Sequence, residues 1–156
     1  SKDSTPLISV IKNVFSNFVK KGEVYDEIWM IYACNPLLNK KNIIKAKNKF
    51  QKTPKIYPMM SMKEFEVPIE WAFEKKNDVF KCISKKNLIK DSKDMKKKYF
   101  DCASFIVFTK DHLLKSKKFY NFYSYLMQNH EAIDIDSERD WQNALTLYKY
   151  NKLNKL

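Results

Sequence analysis

Glycine is almost absent: Gly22 is the only one among 156 residues. No stretch of the chain can therefore form a Gly-rich loop whose backbone N–H groups cradle a nucleotide's phosphates, and any nucleotide chemistry needs that loop from elsewhere. Arginine is equally scarce, with Arg139 alone among many lysines. The net charge of +12 invites a nucleic-acid reading, but readers of bases and phosphates rely on the bidentate guanidinium, and these lysines are scattered among asparagines and isoleucines. That pattern argues against a nucleic-acid partner and leaves weak anion binding open. Lys96-Lys97-Lys98 reads as a solvated loop. Cys34, Cys82 and Cys102 never form a Cys-x-x-Cys pair, so neither a disulfide framework nor a zinc site is suggested. No apolar run approaches the roughly 20 residues of a membrane span, and Ser1 to Thr5 lack a signal-peptide layout, so a cytoplasmic location without membrane contact is expected.

Apolar residues make up 44% of the chain and aromatics 15%, enough for a packed core in a single domain over residues 1–156. Thr5-Pro6 starts a helix to about Lys20, with Leu7, Ile8, Ile11, Phe15 and Phe18 at helical spacing. Gly22 ends it, and Glu27 to Ala33 is a near-continuous apolar run, as in a central strand covered on both faces. Cys34-Asn35-Pro36 breaks that strand, Asn39 caps a helix to about Phe50, and Ile56 to Met62 forms the next strand. Strand, helix, strand is the βαβ rhythm of a mixed or parallel sheet.

The second half is less regular. Ile69 to Glu74 and Val79 to Ile83 read as short strands, Ser84 to Lys98 as a long loop, and Ala103 to Phe108 as a strand. Asp111 to Leu114 makes a helical turn, and Phe119 to Met127 fits helix or strand equally. Glu131 to Ile135 reads as a strand before a last helix from Glu138 to Tyr150. His112 and His130 stand far apart, without partners at metal-ligand or triad spacing, and read as surface or helix-end residues.

The chemistry concentrates in Ala132-Ile133-Asp134-Ile135-Asp136-Ser137-Glu138-Arg139-Asp140-Trp141. In a strand, Asp134 and Asp136 would project on one side, an arrangement suited to a hard cation such as Mg2+. Alternatively, Asp136 or Ser137 simply caps the last helix, with Glu138 and Asp140 set against its dipole. The two roles are compatible.

This Asp-Ile-Asp-Ser-Glu-x-Asp-Trp segment resembles the end of the acylneuraminate cytidylyltransferase family, with the pseudaminic acid branch as the nearest likeness. Four further pieces resemble the family in the same order: Thr5 to Lys12, Ile31 to Leu38, Glu64 to Ala72, and Ser92 to Met95 with Tyr99 to Phe105 behind it. The resemblance runs from about residue 3 to residue 150. It implies an α/β fold of the Rossmann-like nucleotidyltransferase type, a three-layer sandwich with a mixed, mainly parallel sheet. It also implies a reaction in which the hydroxyl of a nonulosonic acid attacks CTP to give a CMP-sugar, with Mg2+ as cofactor and a homodimer as the assembly. Asp134 and Asp136 match the family's catalytic metal-binding pair; Tyr32, Asp94, Tyr99, Asp101 and Phe105 match substrate-pocket positions.

Two departures accompany the likeness. The family's Gly-rich CTP loop has no counterpart here, which gives the expectation of an N-terminally truncated or divergent enzyme, inactive by itself. Trp71, Phe100, Ala103 and Ser104 stand where the family has Arg, His, Gly and Gln, removing charge and donors from the pocket. The alternatives are a non-catalytic interaction or dimerisation module and, last, a lysine-driven nucleic-acid binder.

Overall fold

A computed structural model describes residues 5–115 and 118–154; the reading of Ser1 to Thr5 as lacking a signal-peptide layout lies outside them except for Thr5. Helix α1 (Leu7–Lys20) begins after Pro6 and ends where Gly22 takes a φ of 81°. Strand β1 (Glu27–Ile31) and strand β2 (Met59–Glu64) are joined through helix α2 (Lys40–Gln51). Asn39 caps α2, as the sequence indicates, and Asn42 bonds back to it reciprocally. A long strand β5 (Tyr99–Thr109), helix α4 (Lys110–Lys115), strand β6 (Tyr123–Leu126) and helix α5 (Glu138–Leu153) complete the main body.

The sheet order is β1-β5-β2-β6. The β2–β6 pair is parallel, while β5 lies antiparallel to both β1 and β2. Three of the four strands thus share one direction and β5 alone opposes them, the mixed α/β sheet expected. Side chains alternate between its faces. Trp29, Met59, Phe105, Val107 and Tyr125 pack with Ala46 and Phe50 of α2, whereas Ile28, Met30, Ile106 and Phe108 pack with Ile8, Ile11 and Phe15 of α1. This gives three layers, helix, sheet and helix.

Several expectations are corrected. The apolar run at β1 is covered on both faces, but it is not central: among the described residues β1 pairs only with β5. Face burial sets the hydrophobic pattern, and sheet position leaves no mark in it. Ile69 to Glu74 divides into a 3-10 turn (Ile69–Trp71) and strand β3 (Phe73–Lys76), which pairs with β4 (Val79–Cys82) as a separate two-stranded sheet. Within Ser84 to Lys98 stand a one-turn helix α3 (Lys85–Leu88) and a 3-10 turn (Ser92–Asp94). The Phe119 to Met127 ambiguity resolves as strand β6. Glu131 to Ile135 is irregular, because its backbone bonds to a turn instead of to a strand. His112 is buried, with Nδ1 accepting from the Thr109 N–H at 3.1 Å and Nε2 2.9 Å from the Lys55 carbonyl, a helix-end structural role.

Candidate functional site

Opposite Ser61 the β2–β5 register jumps: Met60 faces Ile106 but Met62 faces Asp101. The extra residues of β5 form a bulge, a device that re-aims side chains at a strand. Within it Ala103 has a φ of 48°, the left-handed region that costs a residue with a Cβ. Its N–H donates to Asp101 Oδ1 at 2.9 Å. The fully buried Ser61 hydroxyl holds the bulge, accepting from the Ser104 N–H at 3.2 Å and the Phe105 N–H at 3.0 Å and donating to the Phe105 carbonyl at 3.1 Å.

The turn after β1 locks onto this bulge. Tyr32 N–H donates to the Ser104 carbonyl at 3.1 Å, and the buried Asn35 amide donates to Ser104 Oγ. Asn35 Oδ1 accepts from Leu37 N–H at 3.3 Å and from Ile133 N–H at 3.4 Å, while Ile135 N–H donates to the Cys34 carbonyl at 3.1 Å. The residues on either side of Asp134 are therefore both pinned to the Cys34-Asn35 turn. Ser137 caps α5, its Oγ accepting from the Asp140 N–H at 3.4 Å, which leaves Asp136 outside the cap.

The strand expected to carry Asp134 and Asp136 is absent, since the segment is irregular, yet it still brings Asp134 beside Asp101 of the bulge. Cys34 donates its thiol to Asp134, and that bond, with burial and the Asp134 and Asp136 charges, raises the thiol pKa. Burial, with Asp101, Cys34 and Asp134 nearby, pushes the Tyr32 phenol up to about 12. Burial and the Asp134 charge raise the Asp101 carboxyl, against the Ala103 N–H, which lowers it. Tyr32, Cys34, Asp101, Asp134 and Asp136 therefore form one electrostatic neighbourhood. Among the described residues no group of three or more His, Cys, Asp or Glu is placed to hold a metal by itself. One or two carboxylates completed by phosphate oxygens is nonetheless an arrangement that Mg2+ accepts.

The other matched residues stand apart. Asp94 is exposed in its 3-10 turn, and Tyr99 is exposed at the start of β5 opposite Glu64. Phe105 is fully buried, with Trp29 and Tyr125 rings at 5.3 and 5.7 Å, so it supports the site from within the core. Of the changed positions, Trp71 donates its indole N–H to the Asn87 carbonyl at 3.1 Å, and Phe100 stacks with Phe65 at 4.8 Å. Sequence reasoning missed Asn35 and Lys63. Lys63 Nζ donates to the Ala132 carbonyl at 3.2 Å beside a cavity of about 270 Å3 that Asp101 and Asp134 also line. The only signal for Asn35 was its place in a strand-ending Cys-Asn-Pro; nothing distinguished Lys63 from the other lysines.

No helix among the described residues is long and apolar enough to cross a membrane. No family model matches the chain. It is 28% identical over 155 residues to pseudaminic acid cytidylyltransferases of two Campylobacter jejuni strains, serotypes O:2 and O:23/36, an alignment covering 97% of this chain. The chain spans 66% of the length of each. The similarity to these pseudaminic acid cytidylyltransferases thus runs along nearly the whole of this chain.

Proposed function

We propose that this chain forms the acceptor- and metal-binding part of a cytidylyltransferase that transfers CMP from CTP to a nonulosonic acid such as pseudaminic acid. A sugar hydroxyl forms the new P–O bond at the α-phosphate as the bond to pyrophosphate breaks. What supports the reading is the convergence of Tyr32, Asp101 and Asp134 at the β5 bulge, in a chain aligned over 97% of its length with pseudaminic acid cytidylyltransferases. Asp134 and Asp136 would hold Mg2+, which when bound offsets phosphate charge and aligns the reacting groups. The protein's own contribution is positioning: the clamp on Ile133 and Ile135 fixes Asp134, and the bulge aims Asp101. Substrates of this kind make a cytoplasmic location part of the proposal.

With one glycine, these 156 residues hold no Gly-rich phosphate loop, so we expect negligible CMP-sugar formation from them alone and turnover when such a segment is supplied. Robust activity of the 156 residues by themselves would overturn the loop argument. Asp134→Asn should abolish the turnover restored with the segment.

A second reading, an interaction module that pairs with another copy, is favoured by the β3–β4 hairpin. Among the described residues its two strands pair only with each other, and Phe73, Val79 and Phe80 are exposed, although an isolated hairpin is marginally stable. A homodimer through this hairpin would cover them. Sedimentation should then show a dimer at micromolar concentration that Phe80→Lys dissociates, and a monomer in the unsubstituted chain would count against it.

A further inference from the structure

Resting on the cytidylyltransferase reading, we propose that Lys63 binds the carboxylate of the acceptor sugar acid. Lys63 lies half-buried on β2 and lines the 270 Å3 cavity with Phe100, Asp101, Asn129 and Asp134. An ammonium has three N–H donors, and one of them goes to the Ala132 carbonyl. None of the ion pairs among the described residues involves Lys63. A partly desolvated charge of this kind is normally matched by an opposite charge, and here two of its donors remain for a ligand.

The lining decides what that ligand is. Asp101 and Asp134 repel an anion and accept hydrogen bonds from hydroxyls, whereas Lys63 attracts a single negative charge. Phe100, directly across the ladder from Lys63, stacks on Phe65 and gives the amine an apolar neighbour that strengthens an ion pair. One carboxylate among several hydroxyls satisfies this lining. The volume of about 270 Å3 lies just below the ~300–1,000 Å3 typical of drug-sized ligands, so it suits a single sugar and not a nucleoside triphosphate.

Calorimetric titration of the parent chain and of Lys63→Met with pseudaminic acid, N-acetylneuraminic acid, the methyl ester of each, and CTP with Mg2+ tests the assignment. The parent should bind at least one free acid more tightly than its ester. Lys63→Met should lose about tenfold in affinity for that acid, with the preference over the ester gone, while Lys63→Arg keeps it and CTP affinity is unchanged. If Lys63→Met fails to fold, Lys63→Gln makes the same test. Equal acid affinity in parent and variant, a parallel loss of CTP affinity, or no acid binding by the parent would each overturn the proposal. A parent that binds CTP but neither acid removes the role of Lys63 and leaves the nucleotide reading standing. Acid binding through Lys63 without CTP binding does the reverse.

Discussion

Replacing Ser61 with alanine removes one oxygen that serves three backbone groups in the β5 bulge. The residue is fully buried, and its hydroxyl accepts from two N–H groups at 3.2 and 3.0 Å and donates to a carbonyl at 3.1 Å. Water cannot take over without entering the core, so the Ser104 and Phe105 N–H groups lose this acceptor. Each buried group left unsatisfied costs about 1–3 kcal/mol, and because the two share one oxygen their costs do not simply add; about 2–4 kcal/mol is expected in all. For a domain of this size that lowers Tm by roughly 6–12 °C. Urea unfolding of parent and Ser61→Ala, read by circular dichroism, should show a lower midpoint with an unchanged slope. A loss below about 0.5 kcal/mol, the range of an ordinary surface substitution, would refute the claim that this hydroxyl holds the bulge.

Other outcomes follow from the same site. Ala103→Gly should stabilise the fold by about 0.5–1 kcal/mol, since a φ of 48° costs alanine more than glycine's extra chain entropy takes back; thermal unfolding checks this, and a lower Tm contradicts it. The Tyr32 phenol has its ordinary value of 10.0 raised to about 12, so the folded chain keeps a proton that the unfolded chain releases. Its contribution to stability is full below pH 10 and lost as pH rises to about 12, a loss that Tyr32→Phe should remove from the alkaline stability profile. Asp134→Asn should speed alkylation of Cys34 below its pKa, because the carboxylate that holds the proton on the thiol is gone. Mass spectrometry after a timed iodoacetamide pulse reads the change, and an unaltered rate counts against the Cys34–Asp134 bond.

The elements of the main body were legible because their signals are local: Pro6 and Gly22 bound α1, and Asn39 caps α2. The edge place of β1 was not, since a strand with apolar side chains packed on both faces reads the same at any position in a sheet. Asp134 was found through its motif, but the strand assigned to it was wrong. The backbone partners of its neighbours Ile133 and Ile135 are a side-chain amide oxygen and a carbonyl of the turn after β1, about a hundred residues away in sequence and invisible to periodicity. Phe105 shows the opposite failure, as an aromatic in a pocket-like motif whose ring the core claims. Ala103, read only as a changed pocket position, has a positive φ that a residue with a Cβ gives no sign of in the sequence.

Titration calorimetry with CTP, with and without Mg2+ and with ATP as control, of this chain supplied with a Gly-rich phosphate-loop segment tests the central claim most directly. Binding that saturates, needs Mg2+, favours CTP over ATP and is lost in Asp134→Asn is the predicted result. Equal weak binding of both nucleotides regardless of Mg2+ and of Asp134, or none, would contradict it.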